Sequence, residues 1–175
     1  HVPKLNDFVK GLKILLKENG VITLEFPHIL QLIKKNQFDT IYHEHFSYFS
    51  LITIKKLFST YELRIFDVEE LNTHGGSLRI FVKHKEDIFH KERKSVKKLL
   101  MKEETFGLTK ISTYTNFSEK VHSTREELLD FLYKAKKMNK VVVGYGAPTK
   151  GNTLLNFCKI DSELIKYTVD MNPHK

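Results

Sequence analysis

Cysteine is nearly absent from this sequence. Cys158 stands alone among 175 residues, which removes intrachain disulfides and any cysteine-rich zinc site and points to a reducing compartment. Long apolar runs are missing too. No stretch approaches the roughly 20 residues that span a bilayer, and the opening from His1 does not read as a secretory signal. A cytoplasmic protein with no membrane partner is the resulting expectation. Internal repeats and low-complexity segments are also lacking. Positive charge, by contrast, is in excess, at a formal +8. That balance invites nucleic acid or an anionic surface. The lysines, however, gather in Lys91 to Lys102 and Lys134 to Lys140, interleaved with acids at helical spacing, which is the pattern of solvated helix faces. Nucleic acid is therefore not expected as a partner, whereas a phosphate-bearing small substrate suits a basic surface.

At 41% hydrophobic, the chain can bury one good core or two small ones. Leu5, Phe8, Val9, Leu12, Leu15 and Leu16 recur at helical spacing and predict a helix that Asn19 and Gly20 stop. Val21 to Phe26 is a short β-branched apolar run closed by Pro27, the pattern of a strand covered on both faces by helices. Ile29 to Ile33 is a brief apolar segment, and Ser50 is placed to cap a helix through Ile54, Leu57 and Phe58. Leu63 to Val68 and Ser77 to Val82 predict an antiparallel pair around a turn at Asn72 to Gly76. This order suggests the second half of a doubly wound sheet with a reversed edge strand. A charged helix from Lys85 to Glu104 and another from Phe117 to Lys137 lead to a second unit, with a strand at Val141 to Val143, a helix at Thr149 to Phe157 and a strand at Leu164 to Val169.

The densest chemistry lies in FDTIYHEHFSYFS, Phe38 to Ser50, where Tyr42, His43, Glu44 and His45 stand side by side. Tyrosine, carboxylate and imidazole are groups that move protons near neutral pH. The neighbours Phe38, Ile41, Phe46, Tyr48 and Phe49 would set them against apolar walls, where charges count for more. A solvated connecting loop is the plain alternative. A metal site built on His43 and His45 would need a third ligand from His1, His28 or His74.

A second concentration is the glycine stretch GYGAPTKGN. Gly144, Gly146 and Gly151 lie between the valine run and a helix, where backbone N–H groups can meet a phosphate. The match to a dinucleotide fingerprint is imperfect, because Thr149 occupies the place of the third glycine. It is not a P-loop either, since Lys150 precedes Gly151. Three readings follow: a tight turn only, an anion site beside Lys150, or an NAD site with Asp170 on the ribose.

Taken together, HVP at the start, YHEHFSYFS, THGGSLRIFV, GYGAPTKGNTLLN and VDMNP resemble the S-adenosylmethionine-dependent C-methyltransferases that act on nucleotide-linked keto-deoxysugars. Members of that family combine an amino-terminal zinc-binding region, a class I methyltransferase domain and a Rossmann-like carboxy-terminal domain. The resemblance implies an α/β chain cut short. Residues 1–84 would be the second half of a class I methyltransferase (Rossmann-like) sheet, and residues 85–175 a helical bridge followed by a partial second Rossmann-like unit. The family's main loop for S-adenosylmethionine is absent from the sequence.

Carried over by motif, the resemblance implies His45 as base, Tyr42 and His1 as donors toward a developing enolate oxygen, and Glu44 as the group orienting an imidazole or holding a substrate hydroxyl. His43, Ser77, Arg79, Lys150 and Asn152 are candidates for contacts with a nucleotide-diphosphate sugar, and Gly144, Gly146 and Gly151 for its phosphates. No catalytic metal is implied. Arg79 also reads as an ordinary residue on a solvated strand face. The competing functions are a catalytically inactive module that binds a nucleotide sugar or a partner chain, and an NAD-dependent oxidoreductase. An exposed edge of a shortened sheet adds an expectation of self-association.

Overall fold

The computed structural model describes residues 1–173. The chain is mixed α/β and divides into two compact units, one of His1–Lys35 with Glu44–Thr113, the other of 36–43 with the chain from Tyr114 onward. Among the described residues no helix is long and apolar enough to cross a membrane.

The first unit contains α1 (Leu5–Leu15), β1 (Ile22–Pro27), α2 (Ile29–Lys34), α3 (Leu51–Thr60), β2 (Leu63–Leu71), β3 (Ser77–His84) and α4 (Lys94–Phe106). Its sheet has the order β1-β3-β2, with β3 antiparallel to both neighbours. It follows that β1 and β2 run parallel to each other. The reversed strand was expected at an edge and lies instead in the centre. The crossover from β1 to β2 leaves one strand width open, and the tight turn after Leu71 folds β3 back into it. Burial accords with the central place: Leu78, Ile80 and Val82 of β3 are each 0% exposed. They meet Val9 of α1, Leu51, Ile54 and Phe58 of α3, and Val96 and Leu99 of α4 in one core.

β1 is not covered on both faces as its apolar run suggested. Ile22, Leu24 and Phe26 are half-buried while Thr23, Glu25 and Pro27 are exposed, the alternation of a strand with one wet face. β2 carries a bulge between Ile65 and Asp67. Leu63 and Ile65 point into the core, and the extra residue shifts the parity so that Val68 does so as well. α3 begins as expected: Ser50 accepts a hydrogen bond from the Thr53 N–H, and the Thr53 hydroxyl bonds the Ser50 N–H in return.

Residues 85–93, expected as helix, form a loop. Asp87 competes with helix formation by turning its carboxylate onto the following backbone, accepting from the N–H groups of Phe89 (2.7 Å) and His90 (3.0 Å) and meeting His90 Nδ1 at 2.7 Å. Buried Lys83 closes the loop by donating to the carbonyls of Asp87 (2.6 Å) and His90 (2.5 Å). The His90 imidazole and the two N–H groups, acting against burial, hold the Asp87 carboxyl at about 2 in place of 3.8.

The second unit contains a 3-10 turn (Phe38–Thr40), α5 (Ile111–Lys137, its first residues lying in the other unit), β4 (Gly144–Tyr145), α6 (Thr149–Cys158) and β5 (Thr168–Val169). α5 starts earlier than its apolar residues suggested. β4 and β5 pair in parallel, Gly144 opposite Thr168 and Tyr145 opposite Val169, with α6 as the crossover. The strand expected at Val141 to Val143 is displaced to Gly144. There the Thr168 side chain lies over the glycine, and a Cβ would stand 2.8 Å from its Cγ2. Phe38 packs its ring 5.2 Å from that of Phe157.

Gly76 adopts φ +134°, and a Cβ there would lie 2.6 Å from Gln31 Cγ. Gly76→Ala is expected to destabilise the first unit by about 1–3 kcal/mol, the usual cost of a strained backbone site, and chemical denaturation of the variant checks this. Because the folded pKa of Asp87 is depressed, its contribution is present above pH 3.8 and is lost as the pH falls toward about 2. Melting temperature measured across that window should fall less steeply for Asp87→Asn than for the parent protein.

Candidate active site

β1 ends at Pro27, and the residues that follow tie three parts of the first unit together. The His28 N–H bonds the Gly76 carbonyl at 3.0 Å, and the Ile29 N–H bonds the Phe49 carbonyl at 3.0 Å. His28 and Phe49 form a parallel bridge, and the rings of Phe26 and Phe49 meet edge-on at 5.3 Å. Segment Glu44–Phe49 is thereby brought past the C-terminal end of β1, the region where open α/β sheets place their ligands.

At the start of that segment the structure gathers three of the residues singled out for catalysis. His1 Nδ1 lies 3.9 Å from Glu44 Oε2. The rings of His1 and His45 stand edge to face with centroids 5.0 Å apart, and Tyr48 follows at 6.0 Å from His45. His1 and Glu44 are 66% and 58% exposed, so a substrate can reach them. Glu44, cast as the partner of an imidazole, has the His1 ring beside it. The expected apolar walls are only partly present: Phe49 is half-buried, but Ile41 and Phe46 are 46% and 59% exposed. Without a strand or helix over 44–48, nothing in the local backbone turns the Phe46 ring inward. Tyr42 and His43 fall in the second unit, beyond the turn at Phe38–Thr40.

The remaining candidates are dispersed. Ser77 is buried, and its hydroxyl donates to the Thr73 carbonyl at 3.0 Å, closing the hairpin turn. Arg79 spans the sheet face between Glu25 (3.0 Å) and Glu69 (3.3 Å), the residues opposite it on β1 and β2. In the second unit, Lys150 and Gly151 lie in the first turn of α6, with exposed Asn152 next. The Asn152 Oδ1 accepts from Asn156 Nδ2 at 3.1 Å.

The glycine turn spends its donors within the unit. The Gly144 N–H goes to Tyr167 O, the Gly146 N–H to Val169 O, and the Ala147 N–H to Asp170 Oδ2 at 2.6 Å. The Asp170 carboxylate thus lies against the backbone of the turn. No chemical step is routed through this turn. Among the described residues, no three His, Cys, Asp or Glu side chains are grouped so as to hold a metal ion.

Sequence reasoning missed a buried cluster behind the segment. Glu103, 0% exposed, accepts from the N–H groups of Leu51 (2.6 Å) and Ile52 (2.8 Å) at the start of α3. Its Oε1 also lies 2.7 Å from Nε2 of His28, itself 1% exposed. With both carboxylate oxygens already accepting, the imidazole nitrogen is the donor. His28 Nδ1 has no partner. The signal was spacing: Glu103 continues the buried stripe of Val96 and Leu99 on α4, at an i, i+3, i+7 interval that a solvated charge run does not keep.

Comparison with known proteins gives these positions a context. A protein-family model described as the C-methyltransferase C-terminal domain matches residues 72–175. The chain is also similar to the C-methyltransferase NovU of Streptomyces niveus, with 36% identity over 170 residues, covering 97% of this chain and 40% of that protein. It thus spans less than half the length of this curated relative. Since the family match runs from the hairpin turn through β5 and takes in more than half of the sequence, the chain belongs to the C-methyltransferase family, as a carrier of its C-terminal domain.

Proposed function

We propose that the protein transfers a methyl group from S-adenosylmethionine to a carbon of a nucleotide-linked keto-deoxysugar, and that this chain supplies the proton-transfer groups. The observation carrying the reading is the approach of His1 to Glu44 and His45, a neighbouring pair far from it in sequence, on one accessible surface of the first unit. A carbon beside a ketone becomes nucleophilic only after losing a proton, which requires a base at that carbon and hydrogen-bond donors at the oxygen that becomes an enolate. His45 takes the proton. His1 donates toward the oxygen, and Glu44, 3.9 Å from the His1 ring, holds that imidazole or a sugar hydroxyl. Tyr42 as a second donor and His43 as a substrate contact rest on the sequence motif.

The methyl donor itself belongs to a part of the family's length that this chain does not span. The family's finer architecture is part of the same proposal. Parallel β1 and β2 with helices between them support the second half of a class I methyltransferase sheet, and β4-α6-β5 supports the start of a Rossmann-like unit. Lysines held by acids, Lys85 by Glu62, Lys102 by Glu70 and Lys136 by Glu163, support a small-molecule substrate over nucleic acid. The edge of β1 away from β3 has no strand partner among the described residues and remains the proposed place for self-association.

The test uses the full-length protein. With a nucleotide-diphosphate keto sugar and no methyl donor, the hydrogen beside the carbonyl should exchange with solvent deuterium. His45→Ala should slow that exchange and methyl transfer together by about 100- to 10,000-fold, the usual worth of a positioned base, with sugar-nucleotide binding retained in calorimetry. Exchange at the parent rate in His45→Ala would remove His45 as base. A parent protein that binds the sugar nucleotide but transfers no methyl group would leave the binding-module reading standing.

A further inference from the structure

Segment 44–48 has no strand or helix of its own, so its placement is inherited from what holds its ends. At the C-terminal end the hold is unusually specific. Phe49 is bridged to the junction of β1 and α2, and Ser50 caps α3. Glu103, reaching in from α4, binds both of these neighbours at once. One carboxylate takes the N–H groups of Leu51 and Ile52 and the Nε2–H of His28. No water competes at 0% exposure, and the N-terminus of α3 adds a favourable field for the negative charge.

No neighbouring residue type repeats this arrangement. A glutamine offers one acceptor oxygen and turns an NH2 group toward an N–H donor, and an aspartate is one methylene short. A helix as well capped as α3 does not need a second, buried cap from another helix for its own sake: Ser50 and Thr53 already form a reciprocal pair. What the carboxylate adds is a fixed relation between the start of α3 and the end of β1, the two supports between which Phe49 hangs.

We propose that Glu103, with His28 as its partner, is a positioning residue for methyl transfer, holding the segment that carries Glu44 and His45 in its reactive place through Phe49, Ser50 and Leu51. The proposal rests on the methyltransferase reading above. It assigns no contact between Glu103 and substrate.

The experiment compares Glu103→Gln, His28→Leu and His28→Gln in the full-length protein, reading kcat and KM for the nucleotide sugar together with amide hydrogen exchange over residues 44–52. His28→Gln keeps an N–H donor toward Glu103. Glu103→Gln and His28→Leu should lower kcat by about 10- to 100-fold, the scale on which small displacements of reacting groups act, with KM held within about threefold. Both should speed exchange over 44–52 while leaving β3 protected, and His28→Gln should restore kcat and protection. Folded Glu103→Gln or His28→Leu with parental kcat and exchange overturns the proposal. So does a fall of kcat that only tracks the loss of folded protein. If Glu103→Gln fails to fold, the two His28 variants decide by the same measures. If the parent protein transfers no methyl group, the functional reading fails separately, and exchange alone decides: unchanged protection over 44–52 overturns the positioning.

Discussion

A carboxylate removed from water is tolerated only when donors replace its hydration. Around Glu103 those donors come from two other places, the backbone at the start of α3 and the imidazole after β1. The charge therefore makes the assembly of the first unit conditional. The buried charge that α4 carries is satisfied only where the start of α3 and the β1–α2 junction both meet it. Hydrophobic contact among Val96, Leu99, Leu51 and Ile54 is non-directional. The carboxylate turns that contact into a single arrangement.

The groups proposed for chemistry are built in the opposite manner. Where Glu103 and His28 are sealed, His1 and Glu44 are more than half exposed. A short irregular stretch separates the sealed support from the open face. Loops on a rigid scaffold commonly carry function because they can present polar groups without having to satisfy a ladder. Here the scaffold ends at Phe49 and Ser50, and the presented groups begin four residues earlier, at His45.

Much of this was legible in the chain. The helix from Leu5, the Ser50 cap and the hairpin around Asn72 to Gly76 follow from local patterns, and local physics decides them. The apolar run at Val21 misled because Thr23 and Glu25 already alternate with Ile22, Leu24 and Phe26, a half-exposed pattern read as a buried one. The stretch from Lys85 looked helical because charge composition is silent about an aspartate that bonds its own backbone. The central position of β3 depends on pairing across the sheet, which no local window contains. At the site, motif similarity singled out His1, Glu44 and His45, which the fold gathers. Nothing in that motif pointed to Glu103, a glutamate among lysines, although its interval from Val96 and Leu99 set it apart.

The bulge in β2 reaches further than its strand. By inserting Phe66 it frees that residue's carbonyl to take the Arg93 N–H at 2.8 Å and turns Asp67 toward Ser95 (2.6 Å) and Arg93 (3.2 Å) at the start of α4. The direction in which α4 leaves the sheet is thereby fixed, and with it where Glu103 arrives about two helical turns later. Chain length is consequently not equally free everywhere. A residue added in the loop at 85–93 lengthens a connection whose end is recaptured by Asp67. A residue removed at Phe66 would restore a regular ladder and misdirect the helix, so a deletion on one edge of the sheet would be felt on the far side of the core.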